Sequence, residues 1–299
     1  MDEKTLAKLK KAGRIAAQAL EFGKNLIKKD ASLLDITKKI EKKILDLGGQ
    51  MAFPPQISLN DTAAHFCPDE DDRTILTDQV CSLDVGVHID GFIGGDNAVT
   101  VDLSGENQDL VKASREALNN AIKIIRPGIT LAEIGKVIQE TIQGFGFAPV
   151  RNLSGHGLDE FNIHARPSIP NYDNGDNTEL KEDQLIAIEP FASKGAGIIY
   201  ESGNATVFQL MGKKPVRNIF TRQILKELEK YKGLPFCRRW LTEKFSLPKV
   251  NFALRELKNL EILREYPPLV DRNHGLISQA EHTLIVKDKP IVLTKENMI

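Results

Sequence analysis

Leu33-Leu34-Asp35-Ile36-Thr37-Lys38-Lys39-Ile40 returns 98 residues downstream as Leu131-Ala132-Glu133-Ile134-Gly135-Lys136-Val137-Ile138. Both stretches space aliphatics three and four apart, which reads as the buried face of an amphipathic helix. Each pattern then runs to a glycine, Gly48 or Gly146, where a helix stops. Outward from this pair, helical spacing over 5–29 (Leu9, Ala12, Ile15, Ala16, Ala19) precedes the first copy, and a helix over 107–125 precedes the second. Ala12-Gly13-Arg14 faces Ala113-Ser114-Arg115 in that comparison. The strands repeat as well. Asp78-Gln79-Val80-Cys81-Ser82-Leu83-Asp84 matches Asp183-Gln184-Leu185-Ile186-Ala187-Ile188-Glu189, each a polar pair, an apolar run and one carboxylate. The chain is therefore expected to fold as an α+β protein of two helix–helix–strand halves about a pseudo-twofold axis. Two copies are too few for a solenoid.

Strands are expected over 80–87 and 91–101, joined at Ile89-Asp90-Gly91, since Asp-Gly tolerates positive φ. Residues 200–270 break the symmetry and read as a helical insertion, with helices over 219–231 and 251–262. A strand resumes over 280–286. Pro167, Pro170 and residues 171–177 read as a polar surface loop. The lysines at 38, 39, 42 and 43 read as the wet face of a helix, and Trp240 as core.

The 299 residues are 41% apolar and 27% charged, which excludes a disordered chain. Forty basic against 41 acidic residues leave a net charge of −1, with no overall basic field for nucleic acid or an anionic membrane. No apolar run is long enough to span a bilayer. The charged start Met1-Asp2-Glu3-Lys4 is unlike a signal peptide. Cys67, Cys81 and Cys237, an odd and widely spaced set, point to reduced thiols and a cytoplasmic location.

The chemistry is expected from carboxylates set inside apolar runs: Asp84, Asp96, Glu189 and Glu281. Any one alone reads as a strand-end residue or half of a buried salt bridge. Four together, two at repeat-equivalent positions, call for a cation, because clustered carboxylates repel. Oxygen ligands with one imidazole suit manganese, iron, cobalt or zinc. His156 lies between Gly155 and Gly157, which allow close approach; His65 ends Asn60-Asp61-Thr62-Ala63-Ala64-His65, and His164 follows eight residues after His156. A lone histidine is more often structural, and His88, His274 and His282 are assigned that way. Phosphate loops, dinucleotide fingerprints, nucleophile elbows and His-Glu-x-x-His are absent.

Taken together these residues resemble the methionine aminopeptidases of the M24 metallopeptidase superfamily. Asp84, Asp96, His156, Glu189 and Glu281 follow that family's metal-ligand order, Asp–Asp–His–Glu–Glu. The similarity extends to Ala52-Phe53-Pro54, Ala63-Ala64-His65, Asn152-Leu153-Ser154-Gly155-His156, Ala187-Ile188-Glu189-Pro190-Phe191 and Ala280-Glu281-His282-Thr283. The insertion, with Leu234-Pro235-Phe236-Cys237 and Tyr266-Pro267-Pro268, resembles the type II subfamily in its short archaeal form. The resemblance implies a single pita-bread domain over 1–299, with the insertion at 200–270. It implies removal of the initiator methionine, before a small second residue, from nascent polypeptide N-termini met at the ribosome. Two divalent metals (cobalt, manganese, iron or zinc) would activate the attacking water. By the same analogy Asp84, Asp96, His156, Glu189 and Glu281 hold the metals, Glu189 also shuttles protons, His65 and His164 contact substrate, and Phe53 lines the methionine pocket. A monomer is expected.

This chain departs from the family at three points. Asp84 and Asp96 stand twelve apart instead of eleven, Asn97 replaces a threonine, and Arg166-Pro167 follows His164. A β-bulge at Gly94-Gly95 would restore the phase of Asp96, with glycine supplying positive φ. A longer hairpin tip at Asp90-Gly91 is the alternative. Two other functions share the fold, a non-catalytic interaction protein and a proline-directed peptidase. The full ligand set speaks against the first, and the lack of room for a large additional domain against the second.

Overall fold

The computed structural model describes residues 1–295. Helices α1 (Glu3–Leu26) and α2 (Leu33–Asp46) come first, then strands β1 (Gln50–Leu59), β2 (Thr62–Ala64), β3 (Val80–Ile89) and β4 (Phe92–Asp102). The second half opens with α3 (Gln108–Ile124) and α4 (Leu131–Gly144). Behind them run β5 (Ala148–Pro149), β6 (Ser154–Asp159), β7 (Asn162–Pro170), β8 (Leu185–Ile188), β9 (Phe191–Ser193) and β10 (Ile199–Glu201). Next come β11 (Val207–Leu210), α5 (Ile219–Leu228), β12 (Phe236–Cys237), α6 (Arg238–Thr242), α7 (Leu247–Asn259) and β13 (Leu263–Tyr266). The chain returns through β14 (Leu269–Asp271), β15 (Ile277–Gln279), β16 (His282–Ile285) and β17 (Ile291–Val292).

The repeat read from sequence is physical. Ser32 caps α2 by accepting the Asp35 N–H, and Thr130 caps α4 by accepting the Glu133 N–H. Just before each cap, the Asp30 N–H donates to the Leu76 carbonyl and the Gly128 N–H to that of Leu180. Asp30 and Gly128 both have positive φ (67° and 83°), as do the helix-ending Gly48 and Gly146 (77° and 82°). The first helix pair buries Ile15, Ala19, Ile40 and Ile44 against Leu83 and Val85 of β3. The second buries Ala117, Ala121, Ile134 and Ile138 against Ile186 and Ile188 of β8 and Leu284 of β16.

Each half contributes one antiparallel sheet, β1-β3-β4 and β17-β16-β8-β6-β7. They are stitched between β4 and β16. The Glu281 N–H donates to the Ala98 carbonyl at 3.1 Å. The Asp96 N–H donates to Thr283 Oγ1 at 2.8 Å, and that hydroxyl donates back to the Asp96 carbonyl at 2.9 Å.

The extra residue before Asp96 is absorbed by a bulge. Val87 pairs with Gly95 and His88 with Ile93, leaving Gly94 without an opposite number. The hairpin tip stays a two-residue turn, Asp90 (φ 53°) and Gly91 (φ 96°), so the longer-tip alternative fails. The role expected for the glycines needs correction, since neither Gly94 nor Gly95 has positive φ. Their requirement is space. A Cβ on Gly94 would lie 2.1 Å from the Leu9 carbonyl oxygen, and one on Gly95 would lie 2.5 Å from the Ala16 Cβ. Helix α1 crosses β4 closely enough that only hydrogen fits there.

Two other expectations change. Pro167 and Pro170 lie in β7, not in a loop; β7 is the edge of its sheet and Pro167 falls in a bulge of it, the two strand settings that tolerate proline. The 200–270 segment is not purely helical. Its α5, α6 and α7 enclose a core with the sheet β12-β11-β13, and the expected helix over 219–231 tightens into a 3₁₀ turn at Glu229–Tyr231.

Candidate active site

Strand register places the expected ligands on one face. Phe53 of β1 pairs with Gly86, and Gly86 pairs in turn with Asp96. Asp84 lies two residues before Gly86, so Phe53, Asp84 and Asp96 project to the same side. Gly86 is needed for that grouping, because a Cβ there would stand 2.2 Å from the Phe53 ring. In the other half His156 pairs with Ala187, and His282 with Ile188. The period of two then sends His156, Glu189 and Glu281 to the common face. Gly155 and Gly157 admit the neighbouring backbone, since Cβ atoms on them would lie 2.3 Å from the Ala187 oxygen and 2.1 Å from the Arg166 oxygen.

All eight residues singled out from sequence line one cavity of about 300 Å³: Phe53, His65, Asp84, Asp96, His156, His164, Glu189 and Glu281. His156 Nε2 lies 3.6 Å from Asp96 Oδ2 and 3.6 Å from Glu189 Oε1. Its Nδ1 sits 3.2 Å from the Gly157 carbonyl. That carbonyl requires the proton on Nδ1, which leaves the Nε2 lone pair aimed at the carboxylates. Ligand atoms of Asp96, His156 and Glu281 lie within 4.8 Å of one another. Gln279 Nε2 ties the other two acids, donating to Asp84 Oδ2 at 3.4 Å and Glu189 Oε2 at 3.5 Å.

The electrostatics demand a positive partner. Burial pushes Asp84 up to about 7. Burial and mutual repulsion drive Asp96, Glu189 and Glu281 well above the usual carboxylate range. Asp84 Oδ1 and Glu281 Oε2 are buried with no hydrogen-bond partner. Orphan carboxylate oxygens beside an unprotonated imidazole nitrogen fit a divalent metal, which removes the repulsion and satisfies the lone pairs together.

The remaining histidines shape the approach. His65 sits at φ 66°, its N–H donating to Gln56 Oε1 at 2.5 Å. Burial, then the nearby His164, lowers its pKa to about 4, so its ring is neutral at pH 7. His164 stands at the mouth, open to solvent on one side. Its ring packs edge-on to His156 at 4.8 Å and tilted to Tyr266 at 6.4 Å. The three histidines set aside as structural lie outside this cavity. His88 Nδ1 accepts the Gly91 N–H, His282 Nδ1 meets the Thr294 hydroxyl, and His274 pairs with Asp61 at the surface. Asn97 turns away from the cavity toward the Thr294 carbonyl, and Arg166-Pro167 occupies a bulge of β7.

Four contributors escaped the sequence reading: Gln56, Gln279, Arg264 and Tyr266. Gln279 had a signal, since it lies two residues before Glu281 and so on the same strand face. Arg264 and Tyr266 arrive from the insertion, whose folding back over the cavity no local pattern announces.

The sequence profile of metallopeptidase family M24 matches residues 7–217. The methionine aminopeptidase of Archaeoglobus fulgidus is 43% identical, the alignment covering 98% of this chain and 99% of that one. That of Thermococcus onnurineus is also 43% identical, over 98% and 100%. Among solved structures, methionine aminopeptidase from Thermotoga maritima superposes with a TM-score of 0.73 at 24% identity, covering 99% of this chain and 98% of that chain. Among the described residues, no helix is long and apolar enough to cross a membrane.

Proposed function

The chain belongs to metallopeptidase family M24, to which its methionine aminopeptidase relatives also point, and from that premise we propose that the cavity removes N-terminal methionine from polypeptides whose second residue is small. One observation carries the reading: two buried carboxylates (Asp96, Glu281), two half-buried ones (Asp84, Glu189) and a buried imidazole, drawn from both halves, converge beside an apolar wall formed by Phe53 and Ile163. Asp84, Asp96, His156, Glu189 and Glu281 would hold two divalent metals. Such ions supply Lewis-acid polarisation of the scissile carbonyl and a water of lowered pKa. Glu189, at the edge of the acid cluster and within 3.5 Å of the Gln279 amide, would take a proton from the attacking water and return it to the leaving amine. His65 is neutral, so its ring offers an N–H to the developing oxyanion or to the amide without bringing a competing charge. His164 flanks the second residue of the substrate at the mouth, where it crowds large side chains. Phe53, locked over Gly86, forms the wall for an unbranched thioether. Residues 200–270 form an insertion subdomain of the same catalytic domain and supply Arg264 and Tyr266 to the cavity, and nascent chains in the cytoplasm are the enzyme's substrates.

The test is cleavage of Met-Ala-Ser against Met-Leu-Ser, Gly-Pro and Ala-Pro, after chelation and after return of manganese, cobalt, iron or zinc. Metal-dependent release of methionine from Met-Ala-Ser alone is expected. Activity in thoroughly demetallated protein, or equal rates with alanine and leucine in second position, contradicts the assignment.

A further inference from the structure

The three-stranded sheet of the insertion turns one face to the active-site cavity. Arg264 pairs with Gln209, and Tyr266 with Val207, so these four side chains share that face. Val207, Arg264 and Tyr266 line the cavity. The Arg264 guanidinium lies over the Tyr266 ring, 5.0 Å from its centroid, and the Tyr266 hydroxyl is held by Gln209. The ring also meets His65 edge-on at 5.0 Å. Arg264 is therefore a positioned cation, not a free-swinging one.

It is also uncompensated. The adjacent acid, Glu265, points to the opposite face of the strand and pairs with Lys258 of α7. Among the described residues Arg264 has no ion-pair or hydrogen-bond partner, although it is solvent-exposed. A guanidinium stacked at the rim of a site for peptides, with its five donors unspent, is suited to bidentate capture of a carboxylate.

Resting on the function proposed above, we infer that Arg264 is a specificity-determining residue that selects peptides carrying a carboxylate just beyond the second residue. The acid cluster takes the scissile bond and the two histidines flank the second residue. Arg264, stacked on the Tyr266 ring whose other contact is His65, is a solvent-facing member of the cavity lining, so a peptide leaving the site brings its third and fourth residues within reach of the guanidinium. A glutamate or aspartate side chain there, or the free terminal carboxylate of a tripeptide, supplies the matching anion.

The experiment compares kcat/KM for C-terminally amidated Met-Ala-Glu-Ser, Met-Ala-Gln-Ser and Met-Ala-Lys-Ser on the metal-loaded protein. Glutamate is expected to exceed lysine by about three- to tenfold, the range of a partly exposed charge pair. The ratio should shrink in 0.5 M salt as screening grows. Arg264→Gln should bring the three rates together, and Arg264→Glu should reverse their order. Thermal melts of each variant, compared with the wild-type protein, verify folding independently of any cleavage rate. Equal rates on all three peptides with the wild-type protein, or an order that survives charge reversal, overturns the inference while leaving the aminopeptidase reading standing. Failure to cut any of them overturns both.

Discussion

Asp84 shows how a carboxylate that the proposed function needs can be costly to the fold. It is held up to about 7 by burial, and its Oδ1 has no partner. Asp84→Asn removes the charge of a proposed metal ligand and also repulsion within the cluster. We expect kcat/KM to fall by about a hundredfold or more, the loss of several kcal/mol of metal-derived stabilisation. The metal-free protein should meanwhile melt at a higher temperature. A parallel loss of both, read by calorimetry with and without manganese, would falsify the cluster argument. His65 makes a second prediction at this scale. Its pKa near 4 leaves an unprotonated imidazole at neutral pH, with Nδ1 unpartnered. The resemblance to type II enzymes implies attack on the epoxide of fumagillin. Mass spectrometry should locate one adduct on His65 and none on His65→Ala.

The bulge in β4 shows how neighbouring elements constrain a single position. Gly94 and Gly95 take up the additional residue while α1 passes over them, the Leu9 carbonyl and Ala16 side chain occupying the space of any Cβ. Gly94→Ala is expected to destabilise the protein by about 2–3 kcal/mol, the scale of forced overpacking against backbone. Deleting Gly94 should be milder, because β4 then pairs with β3 without interruption and Asp96 keeps its face. Urea midpoints and metal affinity for the two variants decide the matter. An alanine variant as stable as the parent would show that α1 can move aside.

The insertion is fastened to the rest of the molecule by a buried ion pair. Arg239 donates to Glu41 of α2 at 2.9 and 2.6 Å, and Trp240 Nε1 adds a third bond to that carboxylate at 2.8 Å. Glu41→Ala strands the fully buried guanidinium and should cost about 3–5 kcal/mol, whereas Glu41→Leu combined with Arg239→Met should recover most of it. Thermal melts with limited proteolysis of residues 200–270 would distinguish this tether from a surface pair, whose loss would pass unnoticed. The acid cluster imposes a second property on the whole molecule. Its carboxylates keep protons when folded that they release when unfolded. Stability they contribute is present at low pH and is lost as pH rises through their raised folded values. The neutral histidines His65 and His156, lowered to about 4 and about 3, act oppositely below about 6.5, where only the unfolded chain charges them. Above 6.5 the carboxylates act alone. The metal-free protein should lose up to about 1.4 kcal/mol per pH unit for each retained proton as pH passes 7. Manganese should flatten that slope.

The sequence by itself determined the two-half architecture, because helical and strand periods are local properties and both copies carry them. It determined the acid and histidine set for a related reason: carboxylates inside apolar runs conflict with their surroundings at the level of the chain. It also located the bulge, since a strand face has a parity that one additional residue breaks. Tertiary structure alone decided why glycine stands in that bulge, which depends on how close α1 lies. It decided too that Glu41, set among surface lysines of α2, turns inward to meet Arg239 from nearly two hundred residues away. The same is true of Arg264 and Tyr266, which reach the cavity only through the packing of the insertion. Contacts of that range are fixed by the fit of distant surfaces, and no spacing along the chain encodes them.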